Sequence, residues 1–251
     1  MPYSELVRRS DPGEAFLLLT RIPAPWPATP RGARAGWAWP IAGACVGLVA
    51  ASVATVALLA GLSPGVAAAL ALATQAMATG GLHEDGLADS ADGLWGGGTP
   101  DRRLAIMSDS RIGSYGALAL MLGILIRWSA LSGLLAGGHA WGPLVAVGAL
   151  SRWPMLAVLW ALPPARDGGL SRLVGRPGTP TLVLAGLVAL GLALAGAGTS
   201  AFLAAAAVLA LAALWWRLVE ARLGGQTGDT CGAAQQLTEM AALLALAAWP
   251  H

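Results

Sequence analysis

Two long stretches of this chain carry no charge at all: none falls between Arg34 and Glu84, and none between Arg176 and Arg217. Lipid offers an exposed backbone group no hydrogen bond, so uncharged apolar runs of about 20 residues read as membrane-spanning helices. A soluble core would interrupt such runs with polar faces. Only 11% of the 251 residues are charged, less than half the roughly 25% usual in soluble domains. The expected fold is therefore all-α, a polytopic integral membrane bundle of about seven transmembrane helices. The spans are expected near 39–61, 64–81, 115–136, 142–162, 180–197, 200–216 and 233–249. No internal repeat or second domain is visible, so 1–251 is read as one membrane-embedded domain. Its N-terminal segment, 1–36, contains Pro23, Pro25, Pro27 and Pro30 and suits a short interfacial helix near 12–20.

The connections between these spans alternate in charge. Arg8, Arg9, Arg21, Arg31 and Arg34 precede the first span; Arg102, Arg103 and Arg111 lie in 82–114; Arg166, Arg172 and Arg176 lie in 163–179; Arg217 and Arg222 lie in 217–232. The connections near 62–63, 137–141 and 198–199 have no Arg. Excess Arg marks the cytoplasmic side, so the N-terminus is expected inside. All fifteen basic residues are Arg and they form no single patch, which argues against nucleic-acid binding. Two cysteines, Cys45 and Cys231, give neither a disulfide framework nor a zinc spacing.

Of thirteen acidic residues, six fall within 84–109: Glu84, Asp85, Asp89, Asp92, Asp101 and Asp109. Asp85, Asp89 and Asp92 are spaced i, i+4, i+7, which on a helix puts them on one face. Like charges stacked in that way repel, and a divalent cation removes the repulsion. Hard oxygen ligands suit Mg²⁺ or Mn²⁺. A solvated acidic loop balancing nearby Arg is the plainer alternative. His83 is open between a ligand, an acid or base, and a hydrogen-bond partner of a carboxylate. The run Trp95-Gly96-Gly97-Gly98-Thr99-Pro100 reads as a linker.

Asp109, Ser110 and Arg111 precede the third span, where hydroxyls, a guanidinium and a helix start suit an anion; an N-cap with an interfacial Arg is the alternative. Gly224 to Thr230, with Thr227 and Asp229, forms either a turn presenting Asp229 or a simple helix cap. Arg127 and Arg152 fall inside spans, where a charge costs at least about 2.5–3.5 kcal/mol and is expected to face the interior and pair.

At these residues the chain resembles the cobalamin synthase family, the adenosylcobinamide-GDP ribazoletransferases. The resemblance runs through Leu19 to Pro23, Pro40 to Gly43, His83 to Gly93, Ile106-Met107, Asp109 to Gly113, Ser151-Arg152, Gly168 to Leu170 and Gly224 to Gly232. The His83–Gly93 and Gly224–Asp229 blocks together are specific. Departures stand at Ala105, Ser108 and Gln236, where the family pattern often has an acidic residue, a basic residue and Glu. The resemblance implies the last step of cobalamin nucleotide-loop assembly. In it α-ribazole, or α-ribazole 5′-phosphate, attacks the cobinamide-side phosphate of adenosylcobinamide-GDP, releasing GMP with Mg²⁺. Such chemistry needs charge neutralisation and in-line positioning.

On that reading Asp85, Asp89 and Asp92 hold the metal, with Asp229 or Asp109 completing its shell. His83 or a carboxylate takes the proton. Arg111 and Arg152 hold the diphosphate, with Asp109, Ser110 and Thr227 also on the substrate. The expected setting is the bacterial inner membrane, with 82–114 as an active-site segment facing the cytoplasm; a homo-oligomer is left open. Rival readings are a CDP-alcohol phosphotransferase-like enzyme and a transporter or channel for divalent cations, which would need charges along a path near the midplane.

Overall fold

The computed structural model describes residues 6–249. Residues 1–5 of the N-terminal segment and residues 250–251 lie outside the described residues. The described chain is helical from end to end. Its elements are α1 (Asp11–Leu19), a 3₁₀ turn (Gly32–Ala38), α2 (Trp39–Leu59), α3 (Pro64–Thr79), α4 (Leu82–Gly96), α5 (Pro100–Met107), α6 (Ser114–Ala136), α7 (Trp141–Leu150), α8 (Trp153–Ala161), α9 (Leu170–Val174), α10 (Thr179–Ala197), α11 (Ser200–Leu223) and α12 (Gly228–Ala247).

Residue size, rather than polarity, separates inside from outside. On α2, Ala42, Ala50, Ala51 and Ala54 are wholly buried, while Leu48, Val49, Val56 and Leu59 are exposed. Small side chains let helix backbones approach, and large apolar ones facing outward meet acyl chains. Exposed Leu118, Met121, Leu122 and Leu125 on α6 and Phe202, Leu209 and Leu214 on α11 continue that apolar exterior. The chain is thus built as a multi-pass membrane protein.

Among the described residues, five helical stretches are long and apolar enough to cross a membrane: 32–59, 114–136, 141–161, 179–197 and 200–223. Counting α3 and α4 as one bent span makes six. The expected second span, 64–81, is α3 alone. Its 16 residues reach only about 24 Å, short of the roughly 30 Å hydrocarbon layer. Gly80 and Gly81 take φ of 67° and 71°, a left-handed turn that residues with a Cβ disfavour, and α4 leaves α3 at 89°. The expected fourth span breaks between α7 and α8 at Ser151–Arg152. Pro154 lacks the N–H that would bond the Leu150 carbonyl in a continuous helix. The expected sixth span runs on to Leu223, carrying α11 past its apolar zone. The expected seventh, α12, is 20 residues long but buries Gln235, Gln236, Thr238 and Glu239, and its polarity keeps it out of the apolar count.

The Arg-bearing connections meet one another. Arg222 donates to the Leu94 carbonyl at 2.9 Å and Arg103 to the Arg222 carbonyl at 2.7 Å. The Arg21 backbone N–H donates to the Ala78 carbonyl at 2.6 Å. Arg31 bonds the fully buried Asp11 of α1 at 2.7 Å, tying down the N-terminal segment. The Arg-free connections 137–141 and 198–199 lie together elsewhere, beside the end of α12 at Leu246 and Trp249. α12 runs from the Arg-rich end to these bare loops and packs on α4, α6, α7, α8 and α11.

Candidate active site

α4 and α12 cross so closely that a Cβ on Gly86 would sit 2.7 Å from the Asp229 carbonyl oxygen and 3.1 Å from the Gly232 Cα. A side chain at 86 would wedge the two helices apart. This crossing brings Asp85 and Asp89 of α4 beside Asp229 in the first turn of α12, near enough for their charges to interact.

Asp229 is held from both sides. Thr227 and Thr230 form a reciprocal capping box at the start of α12, the Thr230 N–H donating to Thr227 Oγ1 at 3.2 Å and the Thr227 N–H to Thr230 Oγ1 at 2.9 Å. The Thr227 hydroxyl also donates to Asp229 Oδ2 at 3.2 Å. Arg166 donates to the same oxygen at 3.2 Å and, through its other terminal nitrogen, to Ser108 Oγ at 2.8 Å. Its loop is clipped to the 224–227 turn by two backbone bonds, Ala165 N–H to the Gln226 carbonyl and Gln226 N–H to the Pro163 carbonyl, at 2.9 and 2.8 Å. The Gly224–Thr230 segment is therefore a helix cap and a presenting turn at once. Thr227, expected on substrate, is buried in the cap.

Asp92 shares the face of Asp85 and Asp89, but its oxygens are committed elsewhere. They accept from the Gly113 N–H at 2.7 Å and the Gly116 N–H at 2.9 Å. Gly113 is the N-cap of α6 and has no side chain to satisfy those donors, so Asp92 supplies the cap from 21 residues upstream. Replacing Asp92 by Ala should lower stability by about 1–3 kcal/mol, read as a shift in thermal unfolding in detergent. Asp92→Asn, which keeps one acceptor oxygen, should lose less; equal loss in both would count against the cap.

The remaining expected residues separate into two groups. Asp109 and Arg111 form a bidentate pair at the surface, Arg111 Nη2 to Asp109 Oδ2 at 2.6 Å and Arg111 Nε to Asp109 Oδ1 at 3.0 Å. Hydrogen bonds from Arg111 hold the Asp109 carboxyl down at about 2. With Arg102 and Tyr115 they line a cleft of about 330 Å³, while Ser110 is exposed beside it. Arg152, expected on the diphosphate, is buried. It faces Glu239 at 3.7 Å and donates to Ser151 Oγ at 2.9 Å. Arg127 bridges Glu239 at 3.3 Å and Glu84 at 3.5 Å. Gln235 donates to Glu239 and Ser151, and Gln236 to Gln235 and to Glu84. Both span arginines thus pair inside the bundle as expected, Arg127 in part with Glu84 of the acidic segment. Their shared partner Glu239, and Arg166 at the site, were not singled out in the sequence.

His83 lies two residues from Asp85, hence on nearly the opposite side of α4. It is 1% exposed, and neither ring nitrogen has a hydrogen-bond partner among the described residues.

No group of three or more described His, Cys, Asp or Glu side chains converges closely enough to hold a metal ion by itself. The carboxylates of Asp85 and Asp89, however, have no hydrogen bond or ion pair among the described residues. Two unpaired carboxylates one helical turn apart fit a Mg²⁺ that keeps several waters and takes its other ligands from substrate phosphate. Arg166 alongside offers a charge-assisted donor for that phosphate.

The family model described as CobS, cobalamin-5-phosphate synthase, matches residues 13–247. An adenosylcobinamide-GDP ribazoletransferase from Mesorhizobium japonicum is 47% identical over 93% of this chain and 91% of the relative. Proteins of the same name from Azorhizobium caulinodans and Bradyrhizobium diazoefficiens are 43% and 46% identical, over 96% and 86% of this chain and 97% and 84% of the relatives. No solved structure matches. A helical membrane bundle with aspartates from α4 and α12 meeting at its Arg-rich end, matched along nearly its whole length, belongs to the cobalamin-5-phosphate synthase family.

Proposed function

We propose that this chain is an adenosylcobinamide-GDP ribazoletransferase acting at the cytoplasmic face of a bacterial inner membrane. The observation that carries this reading is the meeting of Asp85, Asp89 and Asp229 with Arg166 at the end of the bundle where the Arg-bearing connections gather. Excess Arg favours the cytoplasmic side, where a nucleotide-bearing substrate is available.

In the proposed reaction a free ribose hydroxyl oxygen of α-ribazole, or of its 5′-phosphate, bonds to the cobinamide-side phosphorus of adenosylcobinamide-GDP. The bond from that phosphorus to the bridging oxygen breaks, and GMP leaves with the oxygen. Asp85 and Asp89 would hold Mg²⁺, which when bound neutralises the diphosphate. Arg166, oriented by Asp229 and Ser108, faces the phosphate oxygens that gain charge. A carboxylate of the cluster takes the hydroxyl proton. Asp109 and Arg111 lie in the neighbouring cleft, where exchange of their mutual pair for substrate groups keeps Arg111 available to the nucleotide end.

The test is direct. Purified protein in lipid, given adenosylcobinamide-GDP, α-ribazole and Mg²⁺, should release GMP and form the joined corrinoid. Chelation should stop the reaction and added Mg²⁺ restore it. Absence of GMP with all three present would overturn the transferase reading, and full activity in excess chelator would overturn the metal assignment.

A further inference from the structure

On the side of α4 away from the aspartates lies a cavity of about 50 Å³, walled by Leu19, Trp39, Met155 and Leu159 and reached by His83. Gly228 of the Asp229 turn also lines it, so the cavity adjoins the proposed catalytic end through the first turn of α12. Its walls are apolar, yet a neutral imidazole carries one donor and one acceptor, and His83 satisfies neither among the described residues. Buried polar groups are rarely left in that state. A group that fills this cavity would therefore be polar where it meets His83 and apolar elsewhere.

The cover of the cavity is α9, which contributes Leu170, Ser171 and Val174. It is five residues long and sits between Gly169 and Gly175, at φ of 94° and 79°. Its Arg172 pairs only with the fully exposed Asp167 at 2.6 Å, and its Leu173 is 85% exposed. A five-residue helix between two residues that tolerate large backbone changes, held to the bundle through Ser171, Val174 and the approach of the Val174 carbonyl to Gly32, can swing as a unit once those contacts part. The cavity is far below the roughly 300 Å³ at which ligand pockets begin, so entry of a ring system requires that movement.

We propose that α9 is a hinged cover and that the cavity beneath it takes the base of the acceptor, a flat apolar nitrogen heterocycle whose ring nitrogen bonds His83. The inference rests on the acceptor being a ribazole, as proposed above. His83 then binds the acceptor rather than holding the metal.

Binding of labelled α-ribazole to the full chain in nanodiscs, by equilibrium dialysis without the corrinoid substrate, tests the idea apart from turnover. His83→Phe should weaken binding at least tenfold. Ser171→Trp, checked by circular dichroism for a wild-type fold, should do the same by filling the cavity, and Leu187→Ala on the exposed face of α10 should bind like wild type. Unchanged binding in both His83→Phe and Ser171→Trp would overturn the proposal, as would retained binding to wild type in which a lipid chain fills the cavity. GMP release by wild type in that case leaves the transferase reading standing. If no GMP forms but α-ribazole binds and both variants lose it, the cavity assignment stands and the transferase reading falls.

Discussion

Asparagine in place of Asp89 should give a folded, membrane-inserted protein whose GMP release falls by a factor on the order of 10²–10³, the scale seen when one group stabilising transition-state charge is removed. Asp89 is half-buried, has no ion pair among the described residues, and lies within the fields of Asp85, Asp229 and Asp92, with Arg166 as the compensating charge. Removing its charge relieves repulsion, so unfolding without metal should occur at or above the wild-type temperature. The wild type should gain thermal stability as Mg²⁺ is added, because a ligand that binds only the folded state stabilises it by mass action; the variant should gain less. Activity equal to wild type in Asp89→Asn would remove this carboxylate from the proposed site. Loss of activity accompanied by lost stability would assign it a structural role instead.

Glu239→Ala should destabilise the protein by about 3–5 kcal/mol, the usual cost of stranding a buried charge. Two buried arginines share this one carboxylate, Arg127 through one oxygen and Arg152 through the other. With Glu84 the set has two positive and two negative groups. The four come from α4, α6, the α7–α8 break and α12, so the loss should loosen helix packing as well as local charge. The double variant Arg127→Met, Glu239→Gln restores neutrality and should recover part of the loss, because neighbours in one network do not add. Detergent or denaturant titration of both variants reads the result. An unfolding midpoint for Glu239→Ala equal to that of wild type would show that the network adds no net stability.

How much of this was legible follows from what periodicity and hydropathy measure. The charge-free runs located the apolar helices, because a spanning segment leaves no other reading. The α3–α4 corner and the α7–α8 break were missed because Gly80-Gly81 and Pro154 look like ordinary punctuation within or beside a continuous apolar run. The shared face of Asp85, Asp89 and Asp92 was visible from spacing. What that face meets was not: Asp92 finds two backbone N–H groups 21 and 24 residues away, and no local pattern encodes such a distance. Arg166 looked like a topological charge until the clip between 163–165 and 226 placed it on Asp229. Glu239 was the readable signal passed over. A solitary acid in the otherwise uncharged 233–249 span, in a chain with two span arginines, names its own partners by elimination.

That pairing also sets a schedule for biosynthesis. Arg127 and Glu239 are 112 residues apart, and at about 5–20 residues per second the ribosome makes the first roughly 6–22 s before the second. During that interval α6 and α7 have entered the bilayer with two guanidiniums and only Glu84 to answer them. α12, the least greasy of the long helices, arrives last and is retained by the charges that were waiting for it. An unfinished bundle thus holds two guanidiniums short of one carboxylate until Glu239 has been synthesised.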